Sequence, residues 1–204
     1  MIKILIVDDH AILRMGLVSL FSGLKDFEVV GDAASGQEGI RLAQARRPDV
    51  VIMDLMMPEM DGIDTTRALT DVMPDAKILI LTTFGTSDGI AHALEAGALG
   101  AIMKSADFTE LAEAIRIVSR GERYIDREIS RILHDDPPLP TLSPRQLQIL
   151  AAIVKGLSNP DIARALEIST PVVAEHVTAI FRKLGVANRT EAVALALRKH
   201  LLKM

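Results

Sequence analysis

Val50-Val51-Ile52-Met53-Asp54 is the stretch on which the fold turns. Four apolar residues in succession suit a strand buried on both faces, and the run closes on a carboxylate. The same pattern recurs on either side of it. Lys3–Val7 precedes Asp8-Asp9, Lys77–Leu81 precedes Thr82, Ala101–Met103 precedes Lys104, and Glu28–Asp32 is a further candidate strand. Amphipathic stretches fall between them, near Leu13–Gly23, Gly36–Ala45, Asp64–Thr70, Ser87–Ala96 and Phe108–Ser119. Five strand–helix units in roughly 120 residues predict a small doubly wound, flavodoxin-like α/β domain over residues 1–120, with a five-stranded parallel sheet.

In such a sheet, chemistry sits at the carboxyl ends of the strands. Asp8, Asp9, Asp54, Thr82 and Lys104 all fall there. A single aspartate at a strand end is usually a turn or helix cap, but this set spans the ends of four strands. Three carboxylates at one edge repel one another and imply a divalent cation. Oxygen ligands in a chain without cysteine suit Mg2+. With a nearby ammonium and hydroxyl, the site can hold a phosphoryl group while Asp54 attacks as nucleophile. A haloacid-type hydrolase wants Asp-x-Asp on its first strand, whereas here the two aspartates are adjacent. No Gly-x-x-x-x-Gly-Lys loop is present, which disfavours nucleotide hydrolysis. Nothing suggests a cleft for an external substrate, so an enzyme in the ordinary sense is not expected.

The rest of the chain reads differently. The net charge of -4 divides into +5 from Thr141 onward and -9 before it. A basic end suits a polyanion, although ordinary surface variation gives the same sign. The absence of cysteine fits a reducing compartment, and no apolar run reaches membrane length, so a cytoplasmic protein is expected. Asp135-Asp136-Pro137-Pro138-Leu139-Pro140 forbids a helix interior, and residues 121–140 read as a linker. Residues 141–204 read as four helices. One starts at Ser143-Pro144 and stops at Gly156, one spans Asp161–Leu166, one starts at Ser169-Thr170-Pro171 and stops at Gly185, and one starts near Thr190. Val173, Val177, Ile180, Phe181 and Leu184 form the apolar face of the third. Val193, Leu197 and Leu201 form a stripe on the fourth, either packed on the first helix or left for a partner.

Residues 1–120 resemble the receiver domain of two-component response regulators. The matching pieces are Val7-Asp8-Asp9, the run from Met53 to Gly62, Thr82, Ala96-Gly97-Ala98-x-Gly100 and Lys104. Residues 141–204 resemble the helix-turn-helix domain of the NarL/LuxR type. The matching pieces there are Leu142-Ser143-Pro144-Arg145, Gly156-Leu157-Ser158-Asn159, Ile162-Ala163, His176-Val177 and the run from Lys183 to Ala192.

The resemblance implies that Asp54 accepts a phosphoryl group from a sensor histidine kinase and slowly loses it. Asp9, Asp54 and the Met56 carbonyl would bind Mg2+, with Asp8 beside them. Thr82, rather than Thr83, would hydrogen-bond the phosphoryl group and Lys104 would pair with it. The helical domain would bind promoter DNA as a phosphorylation-dependent homodimer, with Val193, Leu197 and Leu201 at the contact. Asn159, Val172, Ala174, Glu175, His176, Thr178, Arg182, Lys183 and Arg189 fall where such domains meet DNA. His176 stays open between a base contact, a phosphate contact and a packed histidine.

Several positions depart from the pattern. Ala101 stands where the family commonly has an aromatic ring, and Ser105 follows the pocket lysine in place of proline or an acidic residue. In the recognition helix, Pro171, Ala174 and Thr178 stand where lysine is common, Val172 where threonine is, and Glu175 where an acidic residue is unusual. DNA binding with unusual specificity or reduced affinity is the leading reading. The alternative is a helical domain that binds a protein partner.

Overall fold

The computed structural model describes residues 1–83, 87–199 and 201–202, and the chain divides into two compact units, 1–137 and 138–204. In the first unit, β1 (Ile2–Val7), β2 (Phe27–Ala33), β3 (Val50–Asp54), β4 (Ile78–Thr82), β5 (Gly100–Met103) and β6 (Tyr124–Ile125) form a parallel sheet in the order β2-β1-β3-β4-β5-β6. The helices between them are α1 (Ala11–Ser22), α2 (Gly36–Arg46), α3 (Gly62–Val72), α4 (Ser87–Glu95) and α5 (Phe108–Ser119).

Alternation along the strands builds two cores. Leu5, Val7, Val51, Met53, Ile78 and Ile80 point to one face, where Ala43 of α2, Leu69 of α3 and Ile90 and Ala93 of α4 cover them. Ile4, Ile6, Val50, Ile52, Leu79 and Leu81 point to the other, under Leu17 and Phe21 of α1 and Leu111, Ile115 and Val118 of α5. Cover on both faces is why β3 and β4 are buried at every residue.

Two expectations are corrected. The sheet has a sixth strand, and the 121–140 segment carries ordered structure. Tyr124 and Ile125 pair with Gly100 and Ala101, and α6 (Arg127–Asp135) follows, capped by the Asp126 side chain. Ile129 of α6 is fully buried in the first core. The proline-rich stretch still lies between the units, since the division falls after Pro137.

The second unit contains α7 (Pro144–Val154), α8 (Asn159–Ala165), α9 (Thr170–Leu184) and α10 (Arg189–Arg198). Ser143 and Gln146 form a reciprocal capping box ahead of Pro144, and Gly185 closes α9 in a left-handed conformation. Ile149, Leu150, Ile153, Ile162, Val173, Ile180, Leu184 and Leu195 form the core. On α10 the buried residues are Ala192, Leu195 and Ala196. Val193 and Leu201 are partly buried against that core, while Leu197 is 47% exposed. The expected stripe on the fourth helix is cut short, since α10 ends at Arg198 and Leu201 lies beyond it. Among the described residues, no helix is long and apolar enough to cross a membrane.

Candidate functional site

Strand geometry gathers the acidic pocket. β1 and β3 are neighbours, so their carboxyl ends bring Asp8, Asp9 and Asp54 together, and β4 and β5 deliver Thr82 and Lys104 beside them. Asp8 and Asp54 are buried. Lys104 Nζ lies 2.7 Å from Asp8 Oδ2 and 3.0 Å from Asp54 Oδ2, so one cation bridges two carboxylates. Asp54 Oδ1 accepts from the Met56 N–H at 3.3 Å. Burial pushes the Asp54 carboxyl above its ordinary pKa, with Asp8 adding to the rise, against the opposing pull of the Lys104 ammonium. For Lys104, burial favours the neutral amine, but the hydrogen bonds and charges of Asp8 and Asp54 prevail and its pKa is raised.

Thr82 is fully buried, and among the described residues its Oγ1 has no hydrogen-bond partner. A buried hydroxyl without a partner is costly and marks a place for an incoming acceptor. Its neighbour Thr83 is exposed. Gly62, the first residue of α3, packs behind the pocket. A Cβ there would lie 2.2 Å from Asp54 O and 2.8 Å from Leu55 Cα, so only glycine lets α3 start against the end of β3.

Two pocket residues escaped the sequence reading. His10 follows the aspartate pair, with Nδ1 2.8 Å from Asp9 Oδ1, and its backbone N–H donates to Asp8 Oδ1. Ligand atoms of Asp8, Asp9, His10 and Asp54 lie within 4.8 Å of one another. Arg14 on α1 donates from Nη1 to Asp8 O at 2.7 Å and from Nε to Asp32 Oδ2 at 3.1 Å, tying the ends of β1 and β2. The adjacency of His10 to Asp8-Asp9 is visible in the sequence. The role of Arg14 depends on a contact with a distant strand.

The residues expected at DNA divide into two groups. Val172, Ala174, Glu175, Thr178 and Arg182 are exposed on α9. Ala174, Glu175, Thr178 and Arg182, with Ala179, line a shallow depression of about 400 Å³. His176 and Asn159 are half-buried. Lys183 and Arg189, by contrast, are tied into the domain. Lys183 Nζ donates to Thr141 O at 3.0 Å and Gln146 Oε1 at 3.1 Å, and Arg189 donates to Leu157 O.

Residues 4–116 match the response regulator receiver domain family, and residues 140–196 match the LuxR family of bacterial regulatory proteins. The chain belongs to the LuxR-type response regulators. As such, this response regulator is a phosphorylation-controlled, DNA-binding regulator of transcription. It is 40% identical over 209 residues to the transcriptional regulatory protein LiaR of Bacillus subtilis, covering 98% of this chain and 99% of the relative. The response regulator protein VraR of Staphylococcus aureus is 38% identical, with 99% of each chain covered. Among solved structures, the response regulator ChrA of a heme-sensing two-component system matches at 36% identity and a TM-score of 0.59, with 98% of each chain covered. RcsB dimers bound to DNA match in fold, at a TM-score of 0.67 and 24% identity, over 96% of this chain and 98% of that one.

Proposed function

We propose that Asp54 is the phosphoacceptor of this response regulator, charged by a sensor histidine kinase with Mg2+ at Asp8, Asp9, Asp54 and the Met56 carbonyl. The observation that carries the reading is the Lys104 ammonium bridging Asp8 and Asp54 beside a Thr82 hydroxyl that has no partner among the described residues. The donor set fits the metal, because three carboxylates converge and no thiolate competes. When bound, Mg2+ neutralises phosphoryl oxygens.

The protein's own groups do the rest. The Asp54 carboxylate attacks phosphorus, and the bond to the kinase's histidine nitrogen breaks, leaving an acyl phosphate on Asp54. Burial raises the basicity of Asp54, while the Lys104 ammonium favours its ionised form. Lys104 Nζ then pairs with a phosphoryl oxygen, and Thr82 Oγ1 donates to another. In the second unit, the exposed face of α9 meets the major groove, with Glu175 able to accept from a cytosine amine and Arg182 able to reach a phosphate. We further propose that the phosphorylated chain acts as a homodimer, with Leu197 the exposed apolar residue of the α10 stripe.

Intact mass after incubation with acetyl phosphate and Mg2+ tests the site. The wild type should gain one phosphoryl group and Asp54→Asn none. Full labelling of the variant would move the phosphoacceptor elsewhere.

A further inference from the structure

The segment after α5 is bound into the receiver by contacts that phosphoacceptor chemistry does not use. Asp126 is 5% exposed, and both its carboxylate oxygens accept from backbone amides. Oδ1 takes the Ile129 N–H at 2.7 Å and so caps α6, and Oδ2 takes the Met103 N–H at 2.7 Å on β5. Met103 is the register partner of Thr82, and the next residue, Lys104, donates its backbone N–H to Thr82 O at 2.7 Å. Asp126 therefore grips the backbone between two side chains of the acidic pocket.

The rest of α6 is tied to the same region. Ile129 is buried in the cluster that holds Ala101 and Met103 of β5 and Ile90 and Ala93 of α4, and Leu133 packs against it. At the far end, Ser87 Oγ, the first residue of α4, donates to Asp136 Oδ2 at 3.0 Å. So α6 is fastened at one end to β5, which leads directly into Lys104, and at the other to α4, which follows the strand ending in Thr82. It then runs into Pro137-Pro138-Leu139-Pro140.

We propose that Asp126 is a positioning residue through which α6 senses the Asp54 pocket. A phosphoryl group on Asp54 draws Thr82 Oγ1 and Lys104 Nζ toward itself, the β4–β5 backbone shifts at Met103, and α6 loosens from β5 and α4. This rests on the assignment of Asp54 made above. The carboxylate matters because two amides need two acceptor oxygens. Asparagine offers one oxygen and one donor group, so it leaves a buried amide facing an N–H.

Hydrogen exchange on the full chain tests this, with Mg2+ alone and with Mg2+ plus beryllofluoride as the phosphoryl stand-in. In the wild type, beryllofluoride should speed exchange of amides 129–136 by at least ~10-fold, while α1 is unchanged. Asp126→Asn should show fast exchange there under both conditions and still take a phosphoryl group from acetyl phosphate. Ser87→Ala, a milder change, should speed exchange at the end of α6 without beryllofluoride. A wild type that fails to take phosphate refutes the Asp54 assignment. One that takes phosphate but keeps α6 equally protected overturns the coupling alone. Unaltered α6 protection in Ser87→Ala, or in Asp126→Asn, also overturns it.

Discussion

The pocket concentrates like charge where the protein is dry, and that has a stability cost at the level of single residues. Asp54 has a folded pKa above its ordinary value, with burial the leading cause. Its ionised form therefore counts against folding at neutral pH, and the penalty fades as the pH falls through the raised pKa. Asp54→Asn should accordingly be more stable than the wild type at pH 7. Lys104 keeps Asp8 as its partner in the variant. Urea denaturation at pH 7 and near pH 4 checks both points, since the advantage should shrink in acid. Gly62 carries a steric prediction. A methyl group there meets the Asp54 carbonyl, so Gly62→Ala should destabilise the receiver by about 1–3 kcal/mol and slow phosphorylation. A variant with an unchanged urea midpoint would show that α3 can shift without cost.

At the scale of elements, what was legible depended on whether a segment carries its own pattern. β3 and β4 were readable because unbroken apolar runs end in Asp54 and Thr82, and α9 because Val173, Ile180 and Leu184 recur at helical spacing. α6 does carry a helical signal, with Ile129, Ile132 and Leu133 at i, i+3 and i+4 behind the Asp126 cap, but it is short and runs into the prolines that made residues 121–140 read as a linker. β6 is two residues long, too short to show a period. Ala101, the small residue of β5, is fully buried and pairs with Ile125 of β6, an arrangement that only the tertiary fold reveals. Arg189 and Lys183 looked like groove cations in the sequence, yet both are tied to backbone carbonyls. Arg182→Ala should therefore weaken DNA binding without loss of thermal stability, whereas Lys183→Ala should lower the melting temperature. The exposed start of α9 carries Glu175 and no cation. Ala174→Lys with Glu175→Asn should raise affinity for non-specific duplex at least ~10-fold at low salt and steepen the salt dependence. Equal affinities and slopes in fluorescence anisotropy would place these residues away from DNA and favour a protein partner for the helical domain.

Across the whole molecule, charge separates by unit: the chain is -9 before Thr141 and +5 from there on. The acidic part suits a cation-binding phosphoacceptor, and the basic part suits a polyanion. Under the proposed function, what joins them is control of DNA binding by the phosphorylation state of Asp54. The direct measurement is retention of genomic DNA fragments by the full chain, with and without acetyl phosphate and Mg2+, for wild type and Asp54→Asn. The donor should change DNA retention by the wild type and leave the variant unmoved. An identical response in both proteins, or none in a wild type that has taken up phosphate, would contradict it.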